Sequence, residues 1–321
     1  MAEYYTAFWN VENLFDVFDS PRRSDKLQRT LAGELEGWTS PVLDRKIQQL
    51  ASIISRMNGG RGPDLLGVCE IENEFVLGLL VNAVRPLSRN YQIAHFDTQD
   101  QRGIDVAFIY DQDIFTANEK FSHYIVKRAA TRDLLQVNFR TGTGKLLVVI
   151  GNHWPSRTGG QFETEPYRII AGETLAYFHE RIREVQNNDN VAVLAMGDFN
   201  DEPSNRSLAD YALCDRLRTK VTRARSVKFL NLMWPILGQG IGTHYFENSP
   251  NVLDQFLVSK GLLTGSSGFT AIPESVEVLR FPEMVTGGDY PAPKRFGRQP
   301  SLDMNGFSDH FPIALRLRET S

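Results

Sequence analysis

Val191-Ala192-Val193-Leu194-Ala195-Met196-Gly197-Asp198-Phe199-Asn200 is an apolar run of strand length that ends on a carboxylate and an amide. Its hydrophobic part is continuous rather than alternating, as expected of a strand covered on both faces. A carboxylate at such a place is costly unless it is paired or meets a metal. The same pattern recurs along the chain. Phe8-Trp9 leads to Asn10 and Glu12, and Leu65 to Cys69 leads to Glu70. Val148-Val149-Ile150 leads to Asn152 and His153, Asp254 opens Gln255-Phe256-Leu257-Val258, and Asp309-His310 precedes Phe311-Pro312-Ile313. One such residue reads as a satisfied core polar group. Six strand ends that each deliver Asn, Asp, Glu or His point to a cleft at one edge of packed sheets.

Helical patterns separate these runs. Pro41 to Met57 carries Leu43, Ile47, Leu50, Ile54 and Met57 on one face, follows Ser40 and ends at Gly59-Gly60. Glu74 to Val84, Glu165 to Gln186 and a short segment at 207–213 are the other expected helices. Strands alternating with helices give an α/β class. Residues 218–245 and 265–305 read as loop insertions; the second holds Pro273, Pro282, Pro291, Pro293 and Pro300. Strand signals flank both, so one domain over 1–321 is expected. No repeat at a period of 20–50 residues is visible.

The 321 residues include 35 Lys+Arg and 39 Asp+Glu, a net charge of −4. That balance argues against a broad basic surface coating DNA, but leaves room for a narrow groove. Cys69 and Cys214 are the only cysteines, too few for a disulfide framework. No run reaches the roughly 18 apolar residues of a membrane helix. The first residues lack a charged segment followed by an apolar one, so a cytoplasmic location is expected, or secretion if a leader has been removed. A monomer is expected.

The residue types at the strand ends favour one chemistry. Oxygen ligands without thiolates select a hard cation, Mg²⁺ with Mn²⁺ as a substitute. A carboxylate beside an amide on the Asp198–Asn200 turn can align water, and imidazoles kept charged by carboxylates can hold phosphate oxygens. The set suits attack of water on a phosphate ester.

Trp9-Asn10-Val11-Glu12-Asn13-Leu14-Phe15, Val68-Cys69-Glu70, Gly151-Asn152-His153-Trp154, Gly197-Asp198-Phe199-Asn200, Leu253-Asp254-Gln255-Phe256 and Ser308-Asp309-His310-Phe311-Pro312 together resemble the successive motifs of the endonuclease/exonuclease/phosphatase superfamily, the fold of DNase I and exonuclease III. They occur in that family's order from residue 8 to 318. The resemblance implies a four-layered α/β sandwich, two mixed β-sheets packed face to face with helices outside. It implies Glu70 as the principal Mg²⁺ ligand with Asn10 beside it and Asp309 completing the metal site. Asp198 orients or activates water, or protonates the leaving group. Asn200 holds Asp198 and the phosphate, and Asp254 keeps His310 protonated. His153 matches the second histidine of the DNase-like branch, where abasic-site nucleases tend to have Tyr.

Other assignments stay open. Arg157 either reaches a substrate phosphate or is a solvated loop residue. Asp105 either orients His153 or pairs with an arginine such as Arg102 or Arg132. Asn13 reads as a turn cap; His95, His123 and His179 as ordinary core or surface histidines; His244 either borders the cleft or is an ordinary loop histidine. The expected function is Mg²⁺-dependent hydrolysis of phosphodiesters in nucleic acid, DNA foremost, with little base preference. The alternatives are a phosphoesterase for small or lipid phosphates and an inactive binding module. Arg22-Arg23, Arg102, Arg157, Lys294-Arg295 and Arg298 are placed to track a backbone. Residues 229–237 form either an apolar lipid-facing loop or a packed segment, and exposure of Trp234 and Leu237 separates the two.

Overall fold

The apolar runs become strands because each finds cover on both faces. In the computed structural model, which describes residues 1–128 and 131–320, the strands are β1 (Glu3–Leu14), β2 (Leu65–Ile71), β3 (Tyr91–His95), β4 (Asp105–Asp111), β5 (Phe115–His123), β6 (Leu134–Thr141), β7 (Leu146–His153), β8 (Ala192–Asp198), β9 (Cys214–Asp215), β10 (Phe229–Asn231), β11 (His244–Phe246), β12 (Ser249–Asn251), β13 (Asp254–Ser259), β14 (Phe269–Val278) and β15 (Ile313–Glu319). The α-helices are α1 (Asp25–Leu31), α2 (Ser40–Gly60), α3 (Glu74–Ala83), α4 (Gln161–Val185), α5 (Arg218–Thr222) and α6 (Lys260–Thr264). One sheet has six strands in the order β14-β15-β1-β2-β4-β3, the other seven in the order β5-β6-β7-β8-β13-β10-β9. Both are mixed: β1 and β2 are parallel, as are β7 and β8, while β1–β15, β2–β4, β6–β7 and β8–β13 are antiparallel.

Three apolar clusters glue four layers. Phe8, Cys69 and Phe108 of the first sheet meet Val137, Val149, Leu194 and Phe256 of the second. Leu43, Ile47, Leu50 and Ile54 of α2 and Val76, Leu77 and Leu80 of α3 cover the outer face of the first sheet. Ala171, Leu175 and Ile182 of α4 cover the second. The expected sandwich is what the chain forms. Among the described residues no helix is long and apolar enough to cross a membrane.

The structure corrects two expectations at the insertions. Residues 269–278, expected within a surface excursion, form β14 at the edge of the six-stranded sheet. Pro273 is accommodated because the β14–β15 register slips between Ile272 and Glu277, and an edge strand can spare a donor. Within 218–245, Phe229–Asn231 is β10, paired with β13. Helix α4 also begins earlier than expected, at Gln161, and carries Pro166 inside it.

His179 is a core histidine, as its setting suggested. It stacks on Phe229 with ring centroids 4.0 Å apart. Burial first, then the Arg183 charge, lowers its pKa to about 3. The folded value lies below the unfolded one, so the associated stability is present above about pH 6.5 and is lost as pH falls toward 3. His179 alone should therefore contribute a loss of about 2 kcal/mol between pH 7 and pH 5, at about 1.4 kcal/mol per unit. Urea midpoints at the two pH values should fall less for His179→Gln than for wild type. An identical fall would show that His179 is not held neutral.

Candidate active site

The register of the seven-stranded sheet places three functional side chains in a row. His153 of β7 stands opposite Asp198 of β8, and Asp254 of β13 stands opposite Asp198 on the other side. Partners in register project to the same face. The close approach of β7 and β8 explains Gly197: a Cβ there would lie 2.2 Å from the Asn152 carbonyl oxygen.

The six-stranded sheet supplies Asn10 and Glu70 by a different device. Phe8 and Cys69 point between the sheets, so strict alternation would turn Glu70 to the helix side. Instead the register slips after Asn10 and after Cys69, and Glu12, Asn13 and Glu70 take left-handed φ values of 53°, 53° and 66°. The bulge aims Glu70 at the cleft. Asn200, at the end of β8, is likewise left-handed with φ 51°. Such conformations cost about 1–3 kcal/mol each and persist where surrounding contacts fix them.

Those contacts are present. Asn10 Nδ2 donates to Glu70 Oε1 at 3.2 Å and to Asp198 Oδ2 at 3.1 Å, while the Asn13 backbone N–H donates to Glu70 Oε2 at 2.9 Å. The Asn10 carboxamide oxygen accepts the Glu12 N–H at 3.0 Å. Asn10 therefore braces two carboxylates. The Asn200 N–H donates to Asp198 Oδ1 at 2.9 Å, and its side-chain amide to the Trp154 carbonyl. His153 Nε2 lies 3.8 Å from Glu70 and 3.9 Å from Asp198. His310 Nε2 lies 3.8 Å from Asp198 and 4.0 Å from Asp309. Glu70, Asp198, His153, His310 and Asp309 thus converge around Asn10.

The two imidazoles differ in charge. His310 Nδ1 is 2.7 Å from Asp254 Oδ2. Burial opposes its charge, but Asp254 and Asp198 outweigh burial and hold its pKa well above the ordinary value. His153 goes the other way: burial, then Arg132, Arg102 and His310, push it well below. Both ring nitrogens of His153 face the Arg132 guanidinium, at 3.2 and 2.7 Å. The expectation of two cationic imidazoles is corrected to one, with Arg132 as the second cation. Burial first, then Asp254, raises Asp198 against the pull of His310.

Two further residues spend their polar atoms on other partners. Asp105 is not beside His153; its carboxylate takes the Thr98 hydroxyl at 2.5 Å and faces His95 at 3.3 Å. Arg157 spends its donors on the Asn200 carbonyl, Asn251, Asp201 and Asn205. It holds the Asp198–Asn200 turn from behind.

Three contributors were missed or left without this role. Arg132 has no motif around it, and only the fold brings it to His153. Lys46 is fully buried, donates to the Phe307 carbonyl at 2.6 Å and has a pKa lowered by burial to about 8, against the pull of Glu12, Asp309 and Glu70. Its signal was present: it sits at i+3 from Leu43 on the apolar face of α2. His244, left open between the cleft border and an ordinary loop histidine, pairs in a backbone bridge with His310, with ring centroids 4.7 Å apart.

Residues 5–319 match the model of the Endonuclease/Exonuclease/phosphatase family. The chain belongs to that family. No curated protein matches it. Among solved structures, an endonuclease/exonuclease/phosphatase family protein from Bacteroides thetaiotaomicron aligns with TM-score 0.58 at 15% identity, covering 100% of this chain and 99% of that one. A mannosyl-6-phosphatase of the same organism aligns with TM-score 0.57 at 16% identity over 98% and 99%. A humanized D. rerio TDP2 aligns with TM-score 0.59 at 14% identity over 98% and 99%. At these identities the likeness speaks to the fold.

Membership in the endonuclease/exonuclease/phosphatase family makes the chain a phosphoesterase of that superfamily, and the donor set suits a divalent cation. His244, Asp309 and His310 offer ligand atoms within 4.8 Å of one another, as do Asp198, Asp254 and His310. Burial raises Glu12, with Asp309 adding to the shift; burial also raises Asp309, with Glu70 adding. Crowded carboxylates of this kind are what a hard cation relieves.

Proposed function

We propose that this chain hydrolyses phosphodiester bonds of nucleic acid, with Mg²⁺, or Mn²⁺ in its place, held by Glu70 and Asp309. The observation that carries the reading is the juxtaposition of Asp198 with a charged His310 and with Asn10-braced Glu70. The cation would neutralise phosphate charge. Asp198, its Oδ1 fixed by the Asn200 N–H, aligns a water and takes its proton as the water oxygen bonds to phosphorus. The bond from phosphorus to the leaving oxygen breaks, that oxygen takes a proton from solvent water, and Asp198 returns its proton to solvent to close the cycle. His310, kept charged by Asp254, faces the nonbridging oxygens, and Arg132 adds positive charge behind His153. All these groups handle the phosphate, and none reads a base.

Hydrolysis of small phosphorylated compounds is the second reading, and a specific observation favours it. The basic residues expected to track a backbone are held by carboxylates: Arg102 and Arg298 by Glu34, Arg295 by Glu12, Lys294 by Asp303. A mannosyl-6-phosphatase among the structural relatives shows the same fold beside a small phosphate in its name. A lipid surface is disfavoured, since Ile236 and Leu237 pack against the inter-sheet core and Trp234 is half-buried near Arg216.

Turnover of plasmid DNA, single-stranded DNA, RNA, a sugar phosphate, phospholipid vesicles and bis-p-nitrophenyl phosphate, measured side by side with Mg²⁺, separates the readings. Polynucleotide cleavage is expected, with a shallow decline in log rate against log salt because few phosphates are contacted. Sugar-phosphate turnover with intact DNA would hand the site to the second reading.

A further inference from the structure

At the end of the sandwich opposite the catalytic cleft lies a cavity of about 240 Å³. Val191, just before β8, and Val193, near its start, line it, whereas Asp198 ends that strand. At about 3.3 Å per residue the two sites are roughly 20 Å apart. The cavity walls carry Arg183, Arg223, Arg225, Lys228 and Lys260 against one carboxylate, Asp189. Five cations facing one anion stand out in a chain whose net charge is −4. Among the described residues, no carboxylate lies within 4 Å of the charged nitrogens of Arg223, Arg225, Lys228 or Lys260. Only Arg183 is paired, to Glu180 and, at 3.6 Å, to Asp189.

The backbone of this wall is tethered. Arg183 NH1 donates to the Arg225 carbonyl at 3.1 Å, tying the C-terminal turn of α4 to the 223–228 loop. His179, which lines the cavity, is held in turn by its stack on Phe229. The cations share one wall with a single carboxylate, so a bound anion would be drawn by several of them at once. We propose that this cavity is a second, non-catalytic site for a small phosphorylated anion carrying two or more negative charges. The size excludes a duplex and admits a group from a diphosphate to a mononucleotide. Arginine forks and lysine ammonium groups from three segments suit phosphate oxygens on several sides.

The test is isothermal titration with inorganic pyrophosphate in EDTA, on wild type, on Glu70→Gln, and on Arg225→Glu/Lys228→Glu. Wild type and Glu70→Gln are expected to bind one pyrophosphate with equal affinity. The charge-reversed pair should weaken binding at least tenfold while hydrolysing bis-p-nitrophenyl phosphate at the wild-type rate. If the reversed pair does not fold, Arg225→Gln and Lys228→Gln singly should each weaken binding about threefold. No binding by wild type, or affinity unchanged by the cavity substitutions, overturns the site. Affinity that responds to Glu70→Gln instead puts pyrophosphate in the catalytic cleft and overturns it equally.

Discussion

Glu70→Gln is expected to lower turnover more than about 100-fold, since even the outer partners of a metal ligand typically account for 10–100-fold. The substitution is a narrow one. The Asn13 N–H, 2.9 Å from Oε2, can still meet the carboxamide oxygen, so the bulge at position 70 should survive, while Asn10 Nδ2, 3.2 Å from Oε1, loses an acceptor and keeps its bond to Asp198. What disappears is one formal negative charge. Lys46, Arg102 and Arg295 then face a less acidic site, since the Glu70 charge favours the protonated state of each. Cation affinity should fall accordingly, and raising Mg²⁺ should restore only part of the rate. Melting temperature should stay near that of wild type, separating a lost ligand from a lost fold. Full activity in excess EDTA, or a fully active Glu70→Gln protein, would defeat the metal-dependent reading.

The elements legible in the sequence were those whose environment is uniform. β2, β7, β8, β13 and β15 are covered on both faces, so their apolar runs are continuous and their ends stand out. β5 failed that test: from Phe115 to His123 it is mostly exposed, and nothing distinguishes it from a loop. β14 was hidden by Pro273, whose place depends on a register slip visible only against β15. The site divides in the same way. Asp198, Asp254 and His153 each end or open an apolar strand, and pairing then sets them side by side. Arg132 reaches His153 across 21 residues of chain, and its identity as the second cation follows from burial of the imidazole rather than from any local pattern. Arg157 shows the converse. A basic residue beside a catalytic motif suggested phosphate binding, yet the carbonyl of Asn200 and the side chains of Asp201, Asn205 and Asn251 take its donors. A left-handed turn at Asn200 leaves that carbonyl in need of a partner, and a guanidinium supplies several donors at once.

Asp254 and His310 should behave as one unit. Asp254→Asn and His310→Ala are each expected to cost about 100-fold or more in kcat, in the range of losing one electrostatic donor to a transition state. The double change should cost little more than either single one. The geometry gives the reason. Asp254 is fully buried and its Oδ2 is 2.7 Å from His310 Nδ1, so without the imidazole it has lost its charged partner. His310 is buried as well, and without Asp254 burial works against its charge. Asn at 254 keeps the size and removes the charge, so His310 should remain in place but lose its hold on the proton. A proton resonance of the ring that disappears in Asp254→Asn at neutral pH would report that loss directly. Asn231 and Gln255, which bond each other at 2.6 Å nearby on β10 and β13, leave the Asp254–His310 contact alone and serve as a control pair. If the logarithms of the two single losses add in the double variant, Asp254 and His310 act separately, and the charge on His310 must come from Asp198 or Asp309 instead.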